Sequence, residues 1–129
     1  MIRFTLTTAA LAVALVGCVE GGGAEDGFVR VTDPTAFGAA VVGRDLVASN
    51  DPSRVFRLNP DGSMGGDYGR GALAGSWSFE DGFWCRTWTA GLKPESPNAR
   101  DCQTVEVAPG RIRLTRDRGA GGSGVFAIR

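Results

Sequence analysis

The chain has 129 residues, 14 basic and 14 acidic side chains, three cysteines and no histidine. This length suffices for one domain of ordinary size, and a net charge of zero gives no reason to expect a nucleic-acid-binding protein. Without histidine, Ser-His-Asp and Cys-His catalytic sites and histidine-ligated metal sites are excluded. We therefore expect a protein that is not an enzyme and that carries no metal or cofactor.

The first 17 residues have the form of an export signal. "MIRFTLTTAALAVALVGC" places Arg3 before an apolar run over residues 4–16, which is too short to span a bilayer. The run ends in "LVGC", which resembles the lipobox of bacterial lipoproteins, and the resemblance implies a diacylglycerol on Cys18. An ordinary signal peptide with an unrelated cysteine is the alternative. We expect residues 1–17 to be a lipoprotein signal peptide. The protein would then be lipid-anchored in the bacterial cell envelope, on the inner or outer membrane, facing the periplasm.

A linker separates the lipidated cysteine from the folded domain. Residues 18–27 include "VEGGGAEDG", which is rich in glycine and acidic residues and too polar to fold alone. The folded domain is therefore predicted to cover residues 28–129. It has about 100 residues, and a core of that size benefits from a covalent cross-link.

"TDPTAFGAAVVG" predicts one short α-helix near the start of the domain. Asp33 suits the N-cap, Pro34 the first helical position and Gly43 the position that follows the C-terminal end. Phe37 and Val41 lie one turn apart and form a narrow apolar stripe. The pattern predicts a helix of about nine residues.

The rest of the domain predicts seven or eight short β-strands. Apolar runs alternate with turn signals, among them "NPDG" at 59–62, an Asp-Gly pair at 81–82 and a Pro-Gly pair at 109–110. "GLKPESPNAR" and "RGAGGSG" are predicted as longer loops. Short connections favour an antiparallel meander. The expected fold class is therefore mainly β, a small antiparallel β-barrel or sandwich preceded by one short N-terminal α-helix.

The stretch "GSWSFEDGFWCRTW" contains all three tryptophans of the chain. Its Asp-Gly pair between two apolar runs is a strong signal for a two-residue hairpin turn. Such a turn pairs Phe79 with Trp84 and Trp77 with Arg86. Because side chains alternate between the faces of a strand, one face carries Trp77, Phe79, Trp84, Arg86 and Trp88. The other face is mostly polar, so we interpret the aromatic side chains mainly as core.

Arg86 is the one charged side chain on this aromatic face, and a charge does not enter a core without a partner. Three environments suit its guanidinium: the ring of Trp77, a carboxylate such as Asp101 or Asp117, or the open mouth of a barrel. In the third case it meets the anionic group of a small amphipathic ligand, whose apolar body contacts aromatic rings. The candidate ligand-binding residues are Trp77, Trp84, Arg86 and Trp88.

Cys85 and Cys102 are the cysteines that remain once Cys18 is assigned to lipid. Export into an oxidising compartment favours a disulfide between them. They lie 17 positions apart (102 − 85), and closing that loop contributes about 3 kcal/mol in the chain-entropy account. Two free thiols or a metal pair are the alternatives, although two cysteines without histidine make a poor zinc site.

The C-terminal part of the chain has an excess of positive charge. From Phe83 onward, eight basic residues stand against four acidic residues. If the domain binds another protein, we expect its partner face on the basic strand and the loop that follows it. The candidate partner-face residues are Arg111, Arg113, Arg116 and Arg118.

Four stretches together resemble a family of small exported bacterial proteins: "FVRVTDPTAF", "GSWSFEDGFWCR", "DCQTVEV" and "RIRLTRDRGAGGSGVFAIR". The resemblance covers residues 28–129 and implies fold and export, but no activity. Members are often labelled dihydrodipicolinate reductase. We judge that label wrong for this chain. Such a reductase resembles a Rossmann protein with a histidine-bearing catalytic segment, and this chain has neither histidine nor a βαβ pattern.

The sequence thus predicts a cell-envelope lipoprotein with a small binding or interaction domain. Its expected partners are the membrane, through the lipid, and either a small amphipathic ligand or an envelope protein, but not nucleic acid. A module that inhibits an envelope enzyme is one alternative function. An enzyme, either a hydrolase or the reductase of the family label, is the other.

Overall fold

The computed structural model describes residues 26–69, 71–91 and 100–129. The predicted signal peptide, Cys18 and most of the predicted linker lie outside these residues, as does nearly all of the predicted loop at "GLKPESPNAR". The apolar core is drawn entirely from the segment predicted as the folded domain, from Phe28 to Ile128.

Within the described ranges the chain forms nine β-strands, one α-helix and one 3-10 turn. The first strands are β1 (Val29–Val31), β2 (Asp45–Ala48), β3 (Val55–Leu58), β4 (Ser63–Asp67) and β5 (Ala72–Glu80). They are followed by β6 (Phe83–Ala90), β7 (Arg100–Ala108), β8 (Arg111–Thr115) and β9 (Ser123–Ile128). The helix α1 is Pro34–Val41, and the 3-10 turn is Asp117–Gly119.

Strands β2 to β9 form a closed antiparallel barrel of eight strands. Each strand pairs with its neighbour in sequence, and β9 returns to pair with β2, where Leu46 lies opposite Ile128. The mainly β, antiparallel fold is confirmed, and of the two predicted architectures the barrel is the one observed. Pairing of every strand on both sides satisfies the backbone hydrogen bonds that an open sheet leaves free at its edges.

The N-terminal part of the domain differs from the prediction in one respect. Strand β1 precedes the helix and pairs with the second half of β7, beyond the residues of β7 that pair with β6. Three residues are too few for a periodic pattern, so this strand was not predicted. β9 also begins at Ser123, inside the predicted "RGAGGSG" loop, because its first residues pair with β8.

The helix α1 begins and ends where its capping residues predict. The Asp33 carboxylate accepts a hydrogen bond from the backbone N–H of Ala36 at 2.8 Å. Gly43 follows the last turn with φ +79°, a conformation that glycine adopts without strain. The apolar stripe is confirmed as the buried side of the helix, since Phe37 and Val41 are both buried.

The hairpin of β5 and β6 has the predicted turn and register. Asp81 and Gly82 have φ values of +53° and +80°, as a two-residue type I′ turn requires. Trp77 lies opposite Arg86, and Phe79 lies opposite Trp84. On the other side of β6, Cys85 lies directly opposite Cys102, and the predicted disulfide joins them.

One end of the barrel is filled by α1, and we call it the helix-filled end. The ring of Phe37 stacks on Phe79 with centroids 4.7 Å apart and tilts against Trp77 at 5.8 Å. The indole N–H of Trp77 donates to the backbone carbonyl of Asn59 at 3.0 Å. Apolar packing and a satisfied hydrogen bond therefore close this end of the barrel.

Candidate functional site

The other end of the barrel contains a cavity of about 650 Å³, and we call it the open end. This volume lies within the range of small-molecule sites. Five aromatic residues line the cavity: Phe56, Tyr68, Trp84, Trp88 and Phe126. Three arginines also line it: Arg54, Arg86 and Arg116. The combination of an aromatic wall and cationic groups suits a ligand with an apolar body and a negative charge.

Strand β6 supplies three of the lining side chains through its alternation. Trp84, Arg86 and Trp88 occupy every second position and therefore share the inner face of the barrel. Gly75 lies opposite Trp88 on β5, next to an irregularity in the pairing. A Cβ atom at position 75 would lie 3.2 Å from the Trp88 ring and 2.5 Å from the Thr87 carbonyl oxygen. Glycine thus allows the close approach that seats the Trp88 ring.

Phe56 on β3 holds the aromatic side chains of the cavity together. Its ring stacks on Trp84 with centroids 5.9 Å apart and meets Trp88 edge-on at 6.1 Å. Phe126, from the last strand, meets Phe56 edge-on at 5.1 Å. Stacked and edge-on pairs are the favoured arrangements of aromatic rings. Residues far apart in the sequence therefore form one fixed aromatic wall.

Trp84 has a polar atom that the barrel leaves without a partner. Its side chain is 2% exposed, and its indole Nε1 contacts no hydrogen-bond acceptor among the described residues. A buried donor without an acceptor costs about 1–3 kcal/mol. Trp84 also lines the cavity, but this nitrogen is itself enclosed by neighbouring side chains.

Arg86 lies in the cavity wall with one weak ionic partner. Its side chain is 13% exposed, and its Nη2 lies 3.5 Å from Oδ2 of Asp101. Its guanidinium also lies 6.0 Å from the ring centre of Trp88, and not against Trp77 as one of the three predicted environments requires. Burial lowers the pKa of Arg86, and the nearby Asp101 carboxylate opposes that shift. Arg86 nevertheless keeps its positive charge, because arginine is not deprotonated in proteins.

Asp101 connects Arg86 to the loop that follows β8. Its Oδ2 accepts a hydrogen bond from Nε2 of Gln103 at 2.8 Å and lies 3.6 Å from Nε of Arg116. Its Oδ1 accepts the backbone N–H of Asp117 at 3.0 Å. The side chain of Asp101 is 12% exposed. Its carboxylate is held in place by these three neighbours together with Arg86.

The structure brings three of the four candidate ligand-binding residues together. Trp84, Arg86 and Trp88 line the cavity, whereas Trp77 lies at the helix-filled end and packs against Phe37. Sequence reasoning named Asp101 only as a possible partner of Arg86 and missed Gln103. The sequence does contain a signal for the contact between Arg86 and Asp101. If Cys85 and Cys102 lie opposite each other on antiparallel strands, their neighbours Arg86 and Asp101 also lie opposite each other, as observed.

The structure places the four candidate partner-face arginines in three separate positions. Arg111 and Arg113 lie over the ring of Phe28, at 5.0 and 4.4 Å from its centre. Arg113 also donates to Glu106, with Nε 3.0 Å from Oε1, and forms an ion pair with Asp26. The other two are elsewhere: Arg116 lines the cavity and Arg118 lies over the ring of Phe83.

Two further observations concern the described part of the chain. No group of three or more cysteine, aspartate or glutamate side chains there is arranged to hold a metal ion. No helix in the same residues is long and apolar enough to cross a bilayer.

The chain was compared with protein families, curated proteins and solved structures. No family model, no curated protein and no solved structure matches the chain.

Proposed function

We propose that this protein is a lipid-anchored protein of the bacterial cell envelope. In this proposal its barrel binds a small amphipathic molecule with an aromatic body and an anionic group. The observation that carries the proposal is the cavity of about 650 Å³ at the open end, which combines aromatic rings with a largely buried arginine.

The ligand's apolar body contacts Tyr68 and Phe126, the partly buried rings of the cavity, and the small exposed parts of Trp84 and Trp88. Its anionic group pairs with Arg86, whose only ionic partner among the described residues is held at 3.5 Å. A guanidinium has five N–H donors, so Arg86 can bind an oxoanion and keep its contact with Asp101. The low exposure of this guanidinium makes the new hydrogen bonds stronger than surface pairs.

Attachment to the envelope rests on the sequence of the first 18 residues. The short apolar run, the "LVGC" motif and the polar linker support lipid attachment at Cys18. We expect the chain to fractionate with membranes and its N-terminal peptide to carry the mass of a diacylglycerol. Cys18→Ala should release the chain into the soluble fraction; a variant that stays with the membrane would refute the lipid anchor.

Ligand binding can be tested with two fluorescent probes that share one aromatic body. Anilinonaphthalene sulfonate (ANS) carries a negative charge, and phenylnaphthylamine (NPN) lacks the sulfonate. The mature chain, residues 18–129 with Cys18→Ala to remove the lipid, should bind both probes saturably with one site per chain. Arg86→Met should weaken ANS binding by about ten-fold or more, because a charge-assisted contact is lost. NPN binding should change by less than about three-fold.

Arg57→Met is the matched control. Arg57 also forms an ion pair, with Nη2 2.9 Å from Oδ1 of Asp45, but it lies outside the cavity. This variant should leave both affinities unchanged. The proposal fails if neither probe binds saturably, or if Arg86→Met weakens the two probes equally.

A further inference from the structure

The charges around the cavity do not balance. Among the described residues, three arginine side chains line it and no carboxylate does. Arg54 has an acid of its own, since its Nε lies 3.2 Å from Oδ2 of Asp51. The other two, Arg86 and Arg116, both approach the same oxygen of Asp101, at 3.5 and 3.6 Å.

Asp101 has little capacity to neutralise both arginines. Its Oδ2 already accepts from Gln103 and its Oδ1 from the backbone of Asp117. The cluster of Arg86, Arg116 and Asp101 therefore has two positive charges and one negative charge, a net charge of +1 at the cavity wall. Arg86 and Asp101 are 13% and 12% exposed, so water screens their charges poorly, whereas Arg116 is 62% exposed and its charge is screened more strongly.

We propose that the cavity selects a singly charged aromatic oxoanion, such as an aromatic carboxylate or sulfonate, and that Asp101 sets this charge preference. The inference rests on the proposed function, since it concerns the charge of the ligand in the same cavity. A monoanion neutralises the excess of +1. A neutral ligand leaves that excess in place, and a dianion replaces it with an excess of −1 beside the poorly screened charges of Arg86 and Asp101.

The test uses three naphthalene compounds that differ only in their polar group, measured by titration calorimetry on the mature chain. Naphthol is neutral, naphthoate has one negative charge, and naphthyl phosphate has close to two charges above neutral pH. Naphthoate should bind about ten-fold more tightly than either of the others.

Asp101→Asn raises the net charge of the cluster to +2 and keeps the size of the side chain. In this variant naphthyl phosphate should gain at least about ten-fold in affinity relative to naphthoate, which reverses their order. Asp45→Asn is the matched control. It removes the acid paired with Arg57 outside the cavity and should leave the order unchanged.

If Asp101→Asn does not fold, Arg116→Gln tests the same charge count. Arg116 is 62% exposed, and its loss lowers the net charge of the cluster to zero. Naphthoate and naphthyl phosphate should then both weaken relative to naphthol. The inference is overturned if the phosphate binds best to the unaltered chain, or if these variants leave the order unchanged. Failure of all three compounds to bind would instead reject the proposed function, and this inference with it.

Discussion

The two ends of the barrel are built from the same kinds of side chain but differ in what their polar atoms contact. At the helix-filled end, Trp77 donates its indole N–H to Asn59, and Phe37 fills the space beside it. At the open end, Trp84 has no acceptor among the described residues, and the guanidinium of Arg86 is held only at 3.5 Å. Aromatic content therefore does not distinguish the two ends, whereas the satisfaction of their polar atoms does.

The elements that cover each end explain the difference. The helix α1 contributes two buried side chains, Phe37 and Val41, to the core at one end. At the other end, Gly122 and Gly124 line the cavity and have no side chains with which to fill it. A Cβ atom at position 124 would lie 3.2 Å from the ring of Phe126, so a side chain there would crowd the aromatic wall. Glycine at position 124 thus leaves room for the ring of Phe126.

The largest expected effect is on stability, from a change at the helix-filled end. Phe37 is 1% exposed and packs on two aromatic rings, so Phe37→Ala should lower the free energy of unfolding by about 3–5 kcal/mol. Denaturant unfolding measures this loss. ANS affinity, which we propose to depend on the open end, should change by less than about two-fold in the folded variant.

Two results would contradict this prediction. A loss of less than about 1 kcal/mol would show that Phe37 is not a core residue. A parallel loss of ANS affinity would show that the two ends do not act independently.

Local signals in the sequence predict much of this molecule. The Asp-Gly pair at 81–82 and strict alternation predict that Trp84, Arg86 and Trp88 share a face, and the hairpin confirms the register. The capping residues Asp33 and Gly43 likewise predict the helix. These features depend on neighbours a few positions apart in the chain, so one sequence is enough to identify them.

The division between the two ends is not a local property. Trp77 and Trp84 share a face of one hairpin, yet Trp77 contacts α1 whereas Trp84 lines the cavity. That separation depends on where α1 docks and on how β9 closes the barrel against β2. Tyr68, which directly follows β4, and Phe126, on β9, both lie outside the hairpin of β5 and β6 but line the cavity. No pattern within a single segment indicates that they meet there.

The smallest expected effect comes from a matched pair of substitutions, Trp77→Phe and Trp84→Phe. Both remove the same atoms, including one indole N–H. In Trp77→Phe a satisfied hydrogen bond to Asn59 is lost, whereas in Trp84→Phe a buried donor without an acceptor disappears. We expect Trp77→Phe to destabilise the fold by about 1 kcal/mol more than Trp84→Phe, because a net hydrogen bond has about that value. Denaturant unfolding of both variants measures the difference.

The two variants should show the opposite ranking in ligand binding. Trp84→Phe removes part of the aromatic wall beside the probe, so ANS should bind several-fold more weakly. Trp77→Phe acts at the helix-filled end and should leave ANS affinity unchanged. If Trp84→Phe is the more destabilising substitution and ANS affinity is the same in both, the Trp84 N–H has a partner within the fold. The open end would then be core in the same sense as the helix-filled end.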